Sequence, residues 1–266
     1  MRLPLRNKLA YPSASAAGFD PTHIAAVNCR YSGVAMNNRS LTSLLDGVRG
    51  TIGSNVNAAT DGNIGPVITS VSAPGGVTYT GRNTAADTSF TFGAVFRKNS
   101  GSNFAAISTS STPNSGTGGI LWGSTGGGIL AQVSSGSFIT PLSGIMVTGL
   151  PYFIASSINA STSNHLILNL ATGQLFTATA GGLTATAPDG TYIVGSEQLG
   201  STSGNNLAAV MVSAEFLGMS QLLFWAKNPW SFWFPENRVF DFLVGTPAAV
   251  APFVPWITRA PIALGW

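Results

Sequence analysis

From Val67 onward the chain is a succession of short β-rich runs cut by Gly, Ser, Asn and Pro. That punctuation limits the fold more than any other feature, because many short strands at even spacing specify a sandwich or a barrel. Ser89 to Arg97 alternates Phe90, Phe92, Ala94 and Phe96 against Thr91, Gly93, Val95 and Arg97, the period of a strand with one aromatic face buried. Further strand candidates are 103–109, 119–123, 128–133, 152–158, 164–171, 174–179, 191–195 and 207–216. Between Leu170 and Leu175, the tetrapeptide Ala171 to Gln174 carries the glycine that a tight hairpin needs. One segment has helical spacing: Met219, Leu222, Leu223 and Ala226 share a stripe, with Ser220 near the start and Pro229 just past the end. Many strands and one late helix, near Gly218 to Lys227, predict an all-β, two-sheet antiparallel jelly-roll sandwich. No fixed-period repeat suggests a propeller or solenoid.

At 266 residues the chain approaches the upper size of a single β-sandwich. Residues 1–65 are expected to form an irregular N-terminal arm, broken by Pro4, Pro12 and Pro21 before Pro66, with one short helix-compatible stretch at Ser40 to Asp46. Residues 66–235 form the expected sandwich, its helix, and the aromatic run NPWSFWFP, Asn228 to Pro235. Each buried aromatic there is worth roughly 2 to 3 kcal/mol, so the run is expected to seal an open edge or end of the sandwich. Residues 236–266 are read as a C-terminal arm. Its Phe240, Phe242, Phe253, Trp256 and Trp266, set among prolines, are the expected assembly interface, because an apolar strap with so little regular structure is sticky when left free.

Charged residues make up 8% of the chain, against roughly 25% in ordinary soluble proteins. A surface so poor in charge tolerates permanent contact with neighbours. The net charge of +3 is spread thinly, with no basic run longer than Arg97 and Lys98, so nucleic acid is not an expected partner. Val239 to Ile257, the longest apolar stretch, contains Asp241 and three prolines, which disqualifies it as a membrane-spanning helix. Met1 to Ala10 lacks an apolar signal-peptide core, so synthesis and assembly in a cytoplasm are expected. Cys29 is the single cysteine and leaves no intrachain disulfide.

Catalysis needs clustered titratable groups, and this chain has nine carboxylates and two histidines, His23 and His165. The nearest carboxylate pairs are Asp189 with Glu197 and Glu236 with Asp241, and neither has the alternate-residue spacing of a sandwich glucanase. No catalytic residue, metal ligand or cofactor is expected. Gly126 to Gly128 does not open a helix with a Lys-Ser/Thr pair, which leaves phosphate binding without support. Trp122, between glycine-rich turns, is the candidate glycan contact, since an aromatic ring stacks on a sugar face.

From Thr88 to Trp230 the order of segments resembles the concanavalin A-like, laminin-G-like superfamily. The corresponding segments are SFTFGAVFR, PYFIASSIN, HLILNLATGQLF, GTYIVGS and LAAVMVSAEFLGMSQLLFWAKNP. The resemblance implies a lectin-like jelly roll. Thr172 and Gly173 stand at the position of the family's D/N-G turn, and Ala209 and Val210 where many relatives place acidic residues, a departure that speaks against the family's calcium or sugar binding. GFDPTHIAA, SLLDG, DGNIGPVI and NPWSFWFP also resemble laminin-G-like virion proteins of phages and prophages of proteobacteria. This narrower resemblance implies a non-enzymatic structural protein of a tailed-phage particle, as head decoration, fibre or tail component. Its implied partners are other virion subunits and further copies of itself. The alternative is a carbohydrate-binding adhesin that contacts a host surface glycan.

Overall fold

The computed structural model describes residues 18, 20–35, 41–70, 76–81, 87–99, 104–109, 119–133, 137–184, 190–196 and 205–234. In chain order the strands are β1 (Cys29–Ala35), β2 (Leu41–Ser43), β3 (Thr51–Ile52), β4 (Val56–Asp61), β5 (Gly65–Ser70), β6 (Val77–Thr80), β7 (Phe90–Arg97) and β8 (Phe104–Ser108). There follow β9 (Ile120–Thr125), β10 (Gly128–Val133), β11 (Phe138–Ile139), β12 (Pro151–Ile158), β13 (Thr162–Asn169), β14 (Leu175–Gly181), β15 (Thr191–Ser196), β16 (Asn206–Ser213) and, among the described residues, one helix, α1 (Met219–Ala226).

The strands form the expected two antiparallel sheets. One has the order β14-β13-β12-β7-β16-β1-β2, with the β4-β5 hairpin joined through β5 to β16. The other runs β11-β10-β9-β8-β15-β6-β3. On the side of β16 away from β7, Asn206 and Leu207 pair with β5 while Ala209 to Ser213 pair with β1. The pairing of β16 with β7 shifts between Leu207 and Ala209, where the strand changes partner, as a β-bulge permits.

Between the sheets lies a core of Tyr31, Phe90, Phe92, Phe96, Phe104, Trp122, Tyr152, Ile154, Tyr192 and Val210, among others. The alternation in β7 places Phe90, Phe92 and Phe96 in this core, with Phe92 stacked on Trp122 at 5.3 Å. Trp122 is therefore 0% exposed, which corrects its reading as a glycan contact: its ring fills the space between sheets and has no face left for a sugar.

A second apolar cluster lies on the far side of the nine-stranded sheet. Val34, Val95, Phe153, Leu166, Leu168 and Met211 point outward from their strands and meet Leu222, Trp225, Trp230, Phe232, Trp233 and Phe234. The aromatic run therefore covers a sheet face as a third layer with α1, where the sequence reading placed it at an edge or end. The strands beneath are buried on both faces, which is why β12 is buried throughout and β7 nearly so. Helix α1 matches its expected span, with Gly218 at the N-cap and Lys227 at the C-cap. The Gln221 side chain turns back to accept the Gly218 N–H at 2.8 Å, so Ser220 is not the cap.

Residues 29–61 depart from the expected irregular arm, since they supply β1 to β4. In β1, Tyr31 and Ala35 face the inter-sheet core while Val34 faces the outer layer. The described part of the Ser40 to Asp46 stretch is not helical: Leu41 to Ser43 pair with β1, and a turn follows. Its leucines make an apolar stripe at either period, and the neighbouring strand decides which one is used. Upstream, the Gly18 and Asp20 N–H groups donate to the Trp233 and Phe232 carbonyls. The His23 ring meets Trp225 and Phe232 edge-on at 5.2 and 5.3 Å. Gly18, Asp20 and His23 are thereby bound to the third layer.

Candidate functional site

Among the described residues neither a helix nor an aromatic layer packs on the outer face of the seven-stranded sheet. Register places one residue from each strand in a continuous row across it, Thr51, Thr78, Ile193, Ser108, Leu121, Gln132 and Phe138. Direct partners in an antiparallel pair share a face. The middle of the row is dry, with Ser108 and Leu121 buried and Ala105, Leu121 and Leu130 packed together. Its ends are wet. Phe138 on β11 is 62% exposed, and the half-buried Gln132 lies directly opposite it. A ring beside a primary amide can present a stacking surface and both kinds of hydrogen-bonding group to a polyhydroxylated ligand. The sequence reading passed over this pair because β11 has only two residues and leaves no alternation to detect.

A polar cluster sits where β4 turns into β5 beside the ends of β7 and β16. The buried Asp61 carboxylate accepts from Arg97 at 3.2 Å, from Asn206 Nδ2 at 2.9 Å and from the Asn63 N–H at 2.9 Å. Burial alone would raise the Asp61 pKa, but the bonds from Asn63, Asn206 and Arg97 outweigh it and hold the carboxyl below its ordinary value. Arg97 Nε donates to the Gly149 carbonyl at 3.1 Å, and the buried Lys98 Nζ donates to the Met146 carbonyl at 3.1 Å. Loss of solvent pulls the Lys98 pKa down. These contacts tie the β4-β5 hairpin and the 146–149 loop to β7, so the two cations of the sequence's basic pair, Arg97 and Lys98, are loop anchors.

Ser156 and His165, directly opposite on β12 and β13, form a hydrogen bond of 2.9 Å between Oγ and Nδ1. Both are fully buried, and His165 Nε2 has no partner. Burial pushes the imidazole pKa down to about 4. The pair resembles half of a hydrolytic triad in composition only, because no substrate reaches a Ser and His at zero exposure.

Of the nine carboxylates, Asp189, Glu197, Glu236 and Asp241 lie outside the described residues, as do Phe240, Phe242, Phe253, Trp256 and Trp266. The other five are engaged locally. Asp20 accepts from Thr22, Asp46 from the Val48 N–H and Glu215 from Asn28, while Asp87 makes a two-pronged pair with Arg30 at 2.7 and 2.8 Å. Among the described residues no three His, Cys, Asp or Glu side chains gather as a metal site. Cys29 is free, and burial pushes its thiol up to about 12, which removes thiolate chemistry at neutral pH. No described helix is long and apolar enough to cross a membrane.

No protein-family model matches the chain, and no curated protein matches it. Solved structures share its fold. Domain 4 of AbnA, a GH43 extracellular arabinanase from Geobacillus stearothermophilus solved with arabinotriose, aligns at 15% identity and a TM-score of 0.54, over 75% of this chain and 98% of that domain. The ligand-binding domain of botulinum neurotoxin serotype D, solved with N-acetylneuraminic acid, aligns at 14% identity and a TM-score of 0.52, over 75% of this chain and 50% of that one. Trypanosoma rangeli sialidase aligns at 10% identity and a TM-score of 0.52, over 76% of this chain and 33% of that one. The chain thus spans about a third to a half of the two longer proteins. These likenesses establish the β-sandwich.

Proposed function

We propose that the chain is a non-catalytic carbohydrate-binding module. The observation that carries this reading is the alignment over 98% of a domain solved in complex with arabinotriose. A second similar domain was solved with N-acetylneuraminic acid. The surface that suits a sugar here is the exposed Phe138 with Gln132 opposite. Stacking of a sugar on Phe138 and hydrogen bonding through Gln132 require neither a metal nor a nearby carboxylate. The test is affinity electrophoresis and calorimetry of the whole chain against arabinan, sialylated glycans and bacterial surface polysaccharides. Binding to one of them should weaken at least tenfold in Phe138→Ala and less in Gln132→Ala. Retention of full affinity by Phe138→Ala would move the site elsewhere on the sandwich, and no binding to any glycan would overturn the reading.

A second reading is a structural subunit of a tailed-phage virion. It is favoured by the direct packing of two segments that carry the virion-protein resemblance, 18–26 and 228–234, as one layer. On this reading Phe240, Phe242, Phe253, Trp256 and Trp266 dock on neighbouring subunits, and the sandwich projects from the particle with its sugar-facing surface outward.

A further inference from the structure

We propose that β14 is a self-association edge, pairing antiparallel with β14 of a second copy to join two nine-stranded sheets into one. Sheet edges present unpaired N–H and C=O groups, and proteins that stay monomeric blunt them with short strands, charges, prolines or bulges. Three edges here are blunted by length: β2 has three residues, and β3 and β11 have two each. The β4 edge has six and ends in Asp61, which is locked to Arg97. In contrast, β14 runs for seven residues, LFTATAG, with no charge and no proline. Its register with β13 is unbroken from Leu175 to Gly181, so no bulge turns it aside. Among the described residues no strand pairs with its outer side.

The occupant is a second copy because the strand is complementary to itself. A twofold placed at Ala178 sets Ala178 against its own counterpart and Thr177 against Thr179, both exposed. Thr-Thr pairs across antiparallel strands are favourable, and here they carry no charge to repel. On the opposite face the half-buried Phe176, which packs against the inter-sheet core, comes to lie over Ala180, a residue small enough to admit the ring. Such an interface is isologous, as a closed dimer requires.

Sedimentation and light scattering of the full chain read the outcome. The wild type is expected at twice 27.3 kDa, and Thr177→Lys/Thr179→Lys at the monomer mass with its cooperative melt retained. Thr177→Glu/Thr179→Glu should also be monomeric, and mixing the two variants should restore the dimer through opposite charges. Should the lysine variant not fold, oxidation of Ala178→Cys decides the matter, since cysteines on the twofold cross-link copies to each other. A wild type that stays monomeric over the accessible concentration range would sink the proposal. So would a lysine variant that keeps the wild-type mass, or an Ala178→Cys protein that does not cross-link.

Discussion

Gly93, in the middle of β7, and the Trp225 indole of α1 occupy adjoining volumes with no space to spare, since a Cβ at Gly93 would overlap the six-membered ring. A glycine usually weakens a strand, yet here it is the hole into which the third layer inserts its largest side chain. Gly93→Ala should destabilise the protein by about 1 to 3 kcal/mol, the range for overpacking a filled site, as read from chemical denaturation. Adding Trp225→Phe should recover part of the loss, and an unchanged midpoint in Gly93→Ala would refute this packing. His165 gives the residue scale a pH dependence. Its pKa falls to about 4 in the fold from an ordinary 6.5, so the unfolded chain takes up the proton first. The stability His165 contributes is complete above about pH 6.5 and is lost as pH falls toward 4, amounting to roughly 3 kcal/mol. Asp61, held below its ordinary value of 3.8, contributes stability that is lost only at still lower pH. Melting of His165→Gln at pH 7 and pH 4.5 should show a smaller acid loss than the wild type. Equal losses would mean that this imidazole is not the titrating group.

The element that most changes the character of the fold is the layer of α1 and residues 228–234. It converts β7, β12, β13 and β16 from strands with one wet face into strands buried on both. Trp230, Phe232, Trp233 and Phe234 are all 0% exposed, and Trp225 anchors to the segment through its Nε1 and the Pro229 carbonyl at 3.3 Å. Burying four such rings contributes roughly 8 to 12 kcal/mol before ordering costs, comparable with the whole stability of a domain. A chain ended after Pro229 should therefore aggregate or lose its cooperative melt. Circular dichroism decides this: a sharp melt within a few degrees of the wild type would show that the sheet needs no cover.

Across the whole molecule, charge is scarce at 8% of residues and among the described residues no strand flanks the outer side of β14, two features that suit the proposed contacts with neighbours. A chain ended after Gly245, in contrast to one ended after Pro229, should melt as the wild type does, because it retains the described sandwich and its third layer, through Phe234. If the C-terminal arm serves assembly, the same protein should fail to enter particles or higher assemblies, and failure to fold would place the arm in the core. Local pattern was enough to give the two-sheet class, the aromatic face of β7, the hairpin at Ala171 to Gln174 and the span of α1, because alternation, turn glycines and helical stripes are written within a few residues. The place of Trp122 was not legible, since a lone ring between glycines has the same local sequence whether it meets solvent or Phe92. Strand β1 was hidden for a related reason: its partner β16 lies more than a hundred residues away; β2, β3 and β4 pair nearer in sequence, but breakers outweigh alternation in a short window. The aromatic run announced its own burial by composition, but the face that buries it is made of strands distant in sequence, so only the tertiary structure could choose a sheet face over an edge.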